Sequence, residues 1–352
     1  MATGDRRRRV TIADVASHAQ VSTTAVSKVI RNAYGVSPAM RDRVQAAIAE
    51  LGYRPHAAAR ALRGRTFTIG VMLPDIRSPF FAELLDGLTE HLADTDYQAI
   101  MIQGGLTQRS EERAINALVD RPVDGILMVA PLAARTRLER VAADIPTVVL
   151  GRHERSAAYD TVCDDDDTGA RLAVEHLISL GHRRIAHIAH RDNSRARPAD
   201  LLHVIRAETY DRVMREHGLA DEIAVVTTSY SADGGYQGAR ELLGRDPRPT
   251  AIFAGADQAA VGALAAAHEA GLAVPADLSV VGYDNIQLAA LPNIALTTVD
   301  QDGAVMGRTA ARLLLERIEG RTSALRFSVT PSLIVRRSTA APPPESAPPQ
   351  TT

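Results

Sequence analysis

Apolar positions at the start of the chain recur at helical intervals. From Thr11 onward, Ile12, Val15, Ala16 and Ala19 fall on one face. Thr11 stands where an N-cap is expected, and Asp14 three residues on completes a box-like start. Gln20, Val21 and Ser22 interrupt the pattern. Ser22 can cap a second helix in which Val26, Val29 and Ile30 recur, leaving Thr23, Thr24, Ser27, Lys28 and Arg31 off the apolar stripe. A third helix opens with Ser37 and Pro38, turns Met40, Val44, Ala47, Ile48 and Leu51 inward, and stops at Gly52. Three helices this small can share one core. The first two predict a helix-turn-helix, whose second helix enters the DNA major groove with its early residues facing the base edges.

Residues 53–65 follow with a different character. Pro55 can start a helix and Ala57 to Leu62 can sustain it for about two turns, too few to be stable alone in water. Gly64 ends it. Gly/Ser spacers are absent, so the segment reads as a hinge.

From residue 66 the rhythm changes again. Continuous apolar runs at 67–74, 97–104, 124–131 and 145–151 are followed by a second set at 184–190, 223–230, 250–257 and 278–285. Helical patterns lie between them, among them 80–93, 169–180, 206–217, 258–270 and 303–319. Such alternation predicts parallel sheets covered on both faces. Two sets predict two doubly wound lobes with a ligand cleft at the carboxyl ends of their strands.

Charge sharpens this division. Residues 1–65 carry 12 Lys/Arg against 4 Asp/Glu, or +8, while the remainder carries 28 against 38, or −10. A basic head on an acidic body points to a polyanionic partner for the head. Cys163 is the only cysteine, which excludes an internal disulfide and suits a reducing cytoplasm. No apolar run approaches the roughly 18 residues of a membrane span, and no apolar signal segment follows Arg6–Arg9. GxSxG, Walker and GxGxxG patterns are absent. A solute-binding protein for a transporter and a doubly wound enzyme are the rival readings. The basic head opposes the first, and the lack of a nucleophile–base constellation opposes the second.

Ordered motifs then carry a resemblance across nearly the whole chain: VTIADVASHAQVSTTAVSKVI, SPAMRDRVQAAIAELGYRP, SPFFAELLDGL, VDGILM, GARLAVEHLISLGHRRIAHI, PTAIFAGADQAAVGAL, LSVVGYDN, LTTVDQD and VRRST. In this set and order the chain resembles the lactose-repressor/galactose-repressor (LacI/GalR) family of bacterial transcriptional regulators. The resemblance implies a helix-turn-helix head on a body folded like a periplasmic binding protein, with three crossover segments expected near 160, 292 and 326. It implies a cytoplasmic repressor that binds pseudo-palindromic operator DNA as a homodimer under control of a small effector, with no cofactor. Thr23, Thr24 and Lys28 would read bases; Thr11, Ser22, Ser27, Arg31, His56 and Ala59 would also meet DNA; and Leu62 would wedge into the minor groove. The family more often has arginine at 28, threonine at 25 and asparagine at 56, so Lys28, Ala25 and His56 leave the operator sequence open.

The expected organisation is a disordered basic arm (1–9), the DNA-binding head (10–52), the hinge (53–65) and the body (66–339). Lobe 1 would hold 66–160 and 293–326, and lobe 2 would hold 161–292 and 327–339. A disordered proline-rich tail (340–352) lacks the leucine heptads of a tetramerising coil.

Effector candidates sit at strand ends. Phe80 and Phe81 follow the first strand, one of them expected in the core. His190 ends its strand, and His187, three residues earlier, faces the other way. By resemblance, Arg206 and Asp284 match effector-binding positions, and the pair suits a neutral hydroxylated ligand such as a sugar. Ala256 replaces the asparagine common in sugar-responsive members, and the basic stretch 191–204 is long for a loop there. These departures keep an anionic ligand open. Asp257 is expected to cap the next helix, and the run Asp164–Asp167 to form a lobe-crossing turn at a helix N-terminus without binding a metal, although the resemblance puts Asp165 or Asp166 near the cleft.

Overall fold

In the head, the helical patterns become α1 (Ile12–His18), α2 (Thr23–Ile30) and α3 (Pro38–Leu51). The computed structural model describes residues 10–30, 33–53, 65–191 and 201–344. Thr11 Oγ1 accepts from Asp14 N at 3.3 Å and Asp14 Oδ2 accepts from Thr11 N at 2.8 Å, a reciprocal cap on α1. Ser22 Oγ accepts from Ala25 N at 3.1 Å and Ser37 Oγ from Met40 N at 3.3 Å, so each helix starts on a hydroxyl cap. Val15, Ala16, Ala19, Val26, Val29, Val44, Ala47 and Tyr53 form the small core, with Ile48 and Leu51 packed against it. Met40 is half-buried outside that cluster. The chain divides into two units between Thr66 and Phe67. The expected arm 1–9 and residues 54–64 of the expected hinge lie outside the described residues.

Among the described residues the body holds two six-stranded sheets. The first contains β1 (Thr68–Leu73), β2 (Gln98–Gln103), β3 (Gly125–Val129), β4 (Thr147–Leu150) and β5 (Asp160–Asp164). Its sixth strand is β11 (Arg326–Val329); the spatial order is β11-β5-β4-β3-β1-β2 and all are parallel. The second contains β6 (Ile185–His190), β7 (Ala224–Thr228), β8 (Ala251–Ala254), β9 (Ser279–Tyr283), β10 (Thr297–Asp300) and β12 (Ser332–Ile334), ordered β12-β10-β9-β8-β6-β7. Here β12 runs antiparallel to β10, an exception to the expected all-parallel lobes.

Burial on both faces explains the continuous apolar runs. Ile69, Val71, Leu127 and Val148 face one layer of helices, while Met72, Ile126, Met128 and Val149 face the other. The helices of the first lobe are α4 (Pro79–Leu92), α5 (Gln108–Val119) and α6 (Arg135–Asp144). The second lobe has α7 (Asp166–Ser179), α8 (Leu202–Glu216), α9 (Ala232–Leu243) and α10 (Asp257–Glu269). Then α11 (Gly303–Ile318) returns to pack on α4.

The chain changes sheet after Asp164, after Asp300 and between Val329 and Ser332. Each crossing falls later than expected. The short strands β5, β10 and β11 occupy the anticipated crossing points and extend their sheets first. The tail also begins later than expected: Ala340 N donates to Ser279 Oγ at 3.0 Å and its carbonyl accepts from the same hydroxyl at 3.1 Å. Residues 345–352 lie outside the described set.

Candidate nucleic-acid face and effector cleft

Helix α2 presents Thr23, Thr24 and Lys28 to solvent, with Ser22 exposed at its cap and Thr11 exposed at the cap of α1. Ser27 differs from expectation: it is only 5% exposed and lies on the packed side with Val26 and Val29. A helix this short, crowded against two others, turns more than its apolar stripe inward. Arg31, His56, Ala59 and Leu62 lie outside the described residues. The exposed hydroxyls and ammonium can donate to phosphates and base edges.

In the body, the aspartate run at the first crossing divides its work. Asp164 accepts from Tyr283 Oη at 2.6 Å, and Asp165 caps α7 by accepting from Thr168 N at 3.1 Å. Asp166 turns inward and Asp167 turns to Thr209 and Arg212. Asp166 is fully buried, taking Arg206 Nε on Oδ1 at 2.6 Å and pairing with His153 Nε2 through Oδ2 at 2.6 Å. His153 follows β4 of the first lobe, so this carboxylate ties the two lobes together.

Arg206 does not open its helix as expected. Helix α8 starts at Leu202, which places Arg206 one turn in and aims it across the sheet end. It is 2% exposed, donates Nη1 to the Gly255 carbonyl at 2.7 Å, and stacks its guanidinium 3.5 Å from the centroid of the Tyr283 ring. Asp284 is buried and accepts from Gln301 Nε2 at 2.7 Å. Its φ of +120° is a strained conformation for a non-glycine residue, which costs on the order of 1–3 kcal/mol.

Burial drives the ionisation of this cluster. It would raise the Asp166 carboxyl, but the charge of Arg206 and the His153 contact outweigh it and hold Asp166 below the carboxylate range. Burial would likewise depress His153, but Asp166 and Cys163 push it up to about 10. An imidazolium cannot accept from Arg326, whose Nη2 lies 3.2 Å from His153 Nδ1, so that approach is a contact between two donors. Asp164 rises to about 7 through burial and the neighbouring charge of Asp166. Burial raises Asp284 well above the usual range against the pull of Arg206.

Asp257 does not cap α10 with its side chain. Ala256 holds the N-cap position, and Asp257 instead accepts from Thr298 Oγ1 at 2.5 Å and Ile286 N at 2.9 Å. Phe80 is in the core at 8% exposure and Phe81 is half-buried beside it, their ring centroids 6.0 Å apart. His190 is half-buried at the end of β6, accepts from Tyr230 N at 3.2 Å and lies 5.1 Å from the His203 ring. His187 faces the other way, between Tyr210 and Phe253. Thus Arg206 meets Asp166 and Tyr283 at the strand ends, with Asp284 close enough to feel its charge. Sequence reasoning missed His153, Asp166 as the partner of Arg206, Tyr283 and Tyr230. The strand-end rule that selects His190 also reaches His153 and Tyr230.

Residues 11–56 match the lacI family of bacterial regulatory proteins, and residues 174–339 match the periplasmic binding protein-like domain. The HTH-type transcriptional repressor PurR of Vibrio atlanticus is 36% identical over 336 residues, covering 94% of this chain and 98% of its own. The chain belongs to the lacI family. As a lacI-family protein it is a DNA-binding transcriptional regulator and not an enzyme. Among solved structures, the lac repressor dimer bound to operator and an anti-inducer superposes with a TM-score of 0.79 at 27% identity, covering 95% of this chain and all of that one. The regulator CelR in complex with cellobiose gives 0.69 at 31% identity, covering 94% and 100%. Among the described residues no helix is long and apolar enough to cross a membrane, and no cluster of three or more His, Cys, Asp or Glu could hold a metal ion.

Proposed function

We propose that this regulator is a cytoplasmic repressor that binds a pseudo-palindromic operator as a homodimer and is controlled by a neutral hydroxylated ligand, a sugar or close relative, held between the lobes. One observation carries the ligand class. Arg206 is already neutralised by Asp166 inside the cleft wall, and Asp284 and Asp164 add acceptors. Arg206 is therefore committed to Asp166 and to the Gly255 carbonyl, which weakens it as a partner for a phosphate or carboxylate, while the mixed donors and acceptors of the wall suit hydroxyl groups. This favours a sugar over the anion that the sequence leaves open. The contacts expected for Arg206, Asp284, His190 and Phe81 fit this reading, with Phe80 supporting the wall from the core. The cellobiose seen in CelR is a ligand of that class.

For DNA, the exposed Thr23, Thr24 and Lys28 of α2 support base reading, and Ser22 and Thr11 support phosphate contacts. Arg31, His56, Ala59 and Leu62 remain part of the proposed interface. Ser27 is better placed to support α2 than to touch a base. A homodimer is favoured by the exposed edge strand β2, where Ile100 is 37% and Met101 61% exposed. The test is selection from random duplexes by the full chain, repeated with Lys28→Ala. An inverted repeat should be enriched, with binding that falls steeply as salt rises. The variant should lose preference at the base it reads. Failure to enrich any sequence would overturn the proposal.

A further inference from the structure

Two consecutive residues at the end of β9 stand at positive φ, Asp284 at +120° and Asn285 at +54°. Neither is glycine, so the surroundings must hold this turn. The backbone is pinned on both sides of it: Asp284 N donates to the Val299 carbonyl at 2.8 Å, and Ile286 N donates to Asp257 Oδ2 at 2.9 Å. Between them the half-buried Asn285 amide is gripped at both ends. Its Nδ2 donates to Asp300 Oδ2 at 2.9 Å, and its Oδ1 accepts from Arg336 Nη2 at 2.7 Å. Those two partners are fixed in turn. Asp300 Oδ1 accepts from Asp302 N at 2.8 Å, and Arg336 Nη1 donates to the Leu296 carbonyl at 2.8 Å. Asp300 ends β10, where the chain leaves the second sheet for α11, and Arg336 follows β12, the strand entered at the third crossing. One amide therefore ties the turn that carries Asp284 to two of the crossings between lobes. An aspartate could accept from Arg336 but not donate to Asp300, so this pair of bonds requires an amide at this length.

We propose that Asn285 is a positioning residue for ligand binding: clamped by Asp300 and Arg336, it holds the strained turn that keeps the Asp284 carboxyl at the cleft. The inference rests on the reading of Asp284 as a ligand contact. Asn285 itself touches no ligand. Its bonds to two charged partners stabilise a conformation that the backbone disfavours. The free protein then presents Asp284 already in place, and binding does not have to order it.

The test uses the full chain. Thermal shifts with cellobiose, D-ribose, D-glucose and D-galactose identify the tightest sugar, and calorimetry follows with that sugar. Asn285→Asp removes the donor and sets two carboxylates together, and should lower affinity about tenfold. Adding Asp300→Asn exchanges donor and acceptor across the same pair and should restore affinity to within about twofold of the wild type. Asn285→Gly, which keeps the left-handed backbone but has no amide, should lose affinity as Asn285→Asp does. On an Asp284→Asn background Asn285→Asp should cost nothing further, a coupling that a general loss of packing would not show. Wild-type affinity in Asn285→Asp or Asn285→Gly, or a double exchange no better than Asn285→Asp, would overturn the inference, while weakened binding by Asp284→Asn would still uphold the cleft reading. An equal loss on both backgrounds would overturn it as well. If Asp284→Asn binds every sugar as the wild type does, or no sugar stabilises the wild type, the reading of Asp284 fails and takes the inference with it.

Discussion

Asp164 shows how one buried carboxyl sets a pH response. Its folded pKa of about 7 lies above the unfolded value of roughly 3.9, so the folded protein holds the extra proton. The resulting stability is complete below about pH 4 and is lost as pH rises through 7. Asp164→Asn keeps an acceptor for Tyr283 and removes the charge beside Asp166. Its stability relative to the wild type should rise between pH 5 and pH 8, read from urea midpoints at the two values. A relative stability that stays flat or falls would contradict the assignment. Arg206 and Asp284 are legible in the sequence through the family resemblance, and Asp284 also because it directly follows the apolar run of β9. The resemblance also brings Asp165 or Asp166 near the cleft, but the pairing of Asp166 with His153 is not legible, because it joins two lobes and depends on where the chain crosses between sheets. Ser27 lies off the apolar stripe yet is buried, because a two-turn helix packed against two others buries more than its stripe.

At the level of elements, burial on both faces makes the central strands readable as continuous apolar runs, as at Gly125–Val129. The marginal strands are harder. Arg326–Val329 and Ser332–Ile334 are short and half-exposed, so their pattern resembles a loop, and the crossing points shift with them. The packing of α4 on α11 likewise leaves only a faint trace in sequence. A Cβ at Gly307 would stand 1.9 Å from the Leu84 carbonyl, so the two helices touch backbone to backbone. Gly307→Ala must push them apart. It should destabilise the body by about 1–3 kcal/mol, the usual range for overpacking. Chemical denaturation measures this, and an unchanged midpoint would show that the helices separate freely.

For the whole molecule, the basic head and acidic body divide two binding tasks between two units. A ligand can alter DNA affinity only by preferring one of two arrangements of the body, and the His153–Asp166–Arg206 chain is the contact between lobes that it would disturb. Coupling of this kind is reciprocal. The most direct measurement is calorimetry of the tightest-binding sugar on the full chain, free and saturated with its selected operator, beside operator titrations with and without that sugar. Both experiments should give the same coupling factor, roughly 5- to 150-fold, and Arg206→Ala should abolish it while operator binding persists. Identical sugar affinities for free and DNA-bound protein would contradict the account.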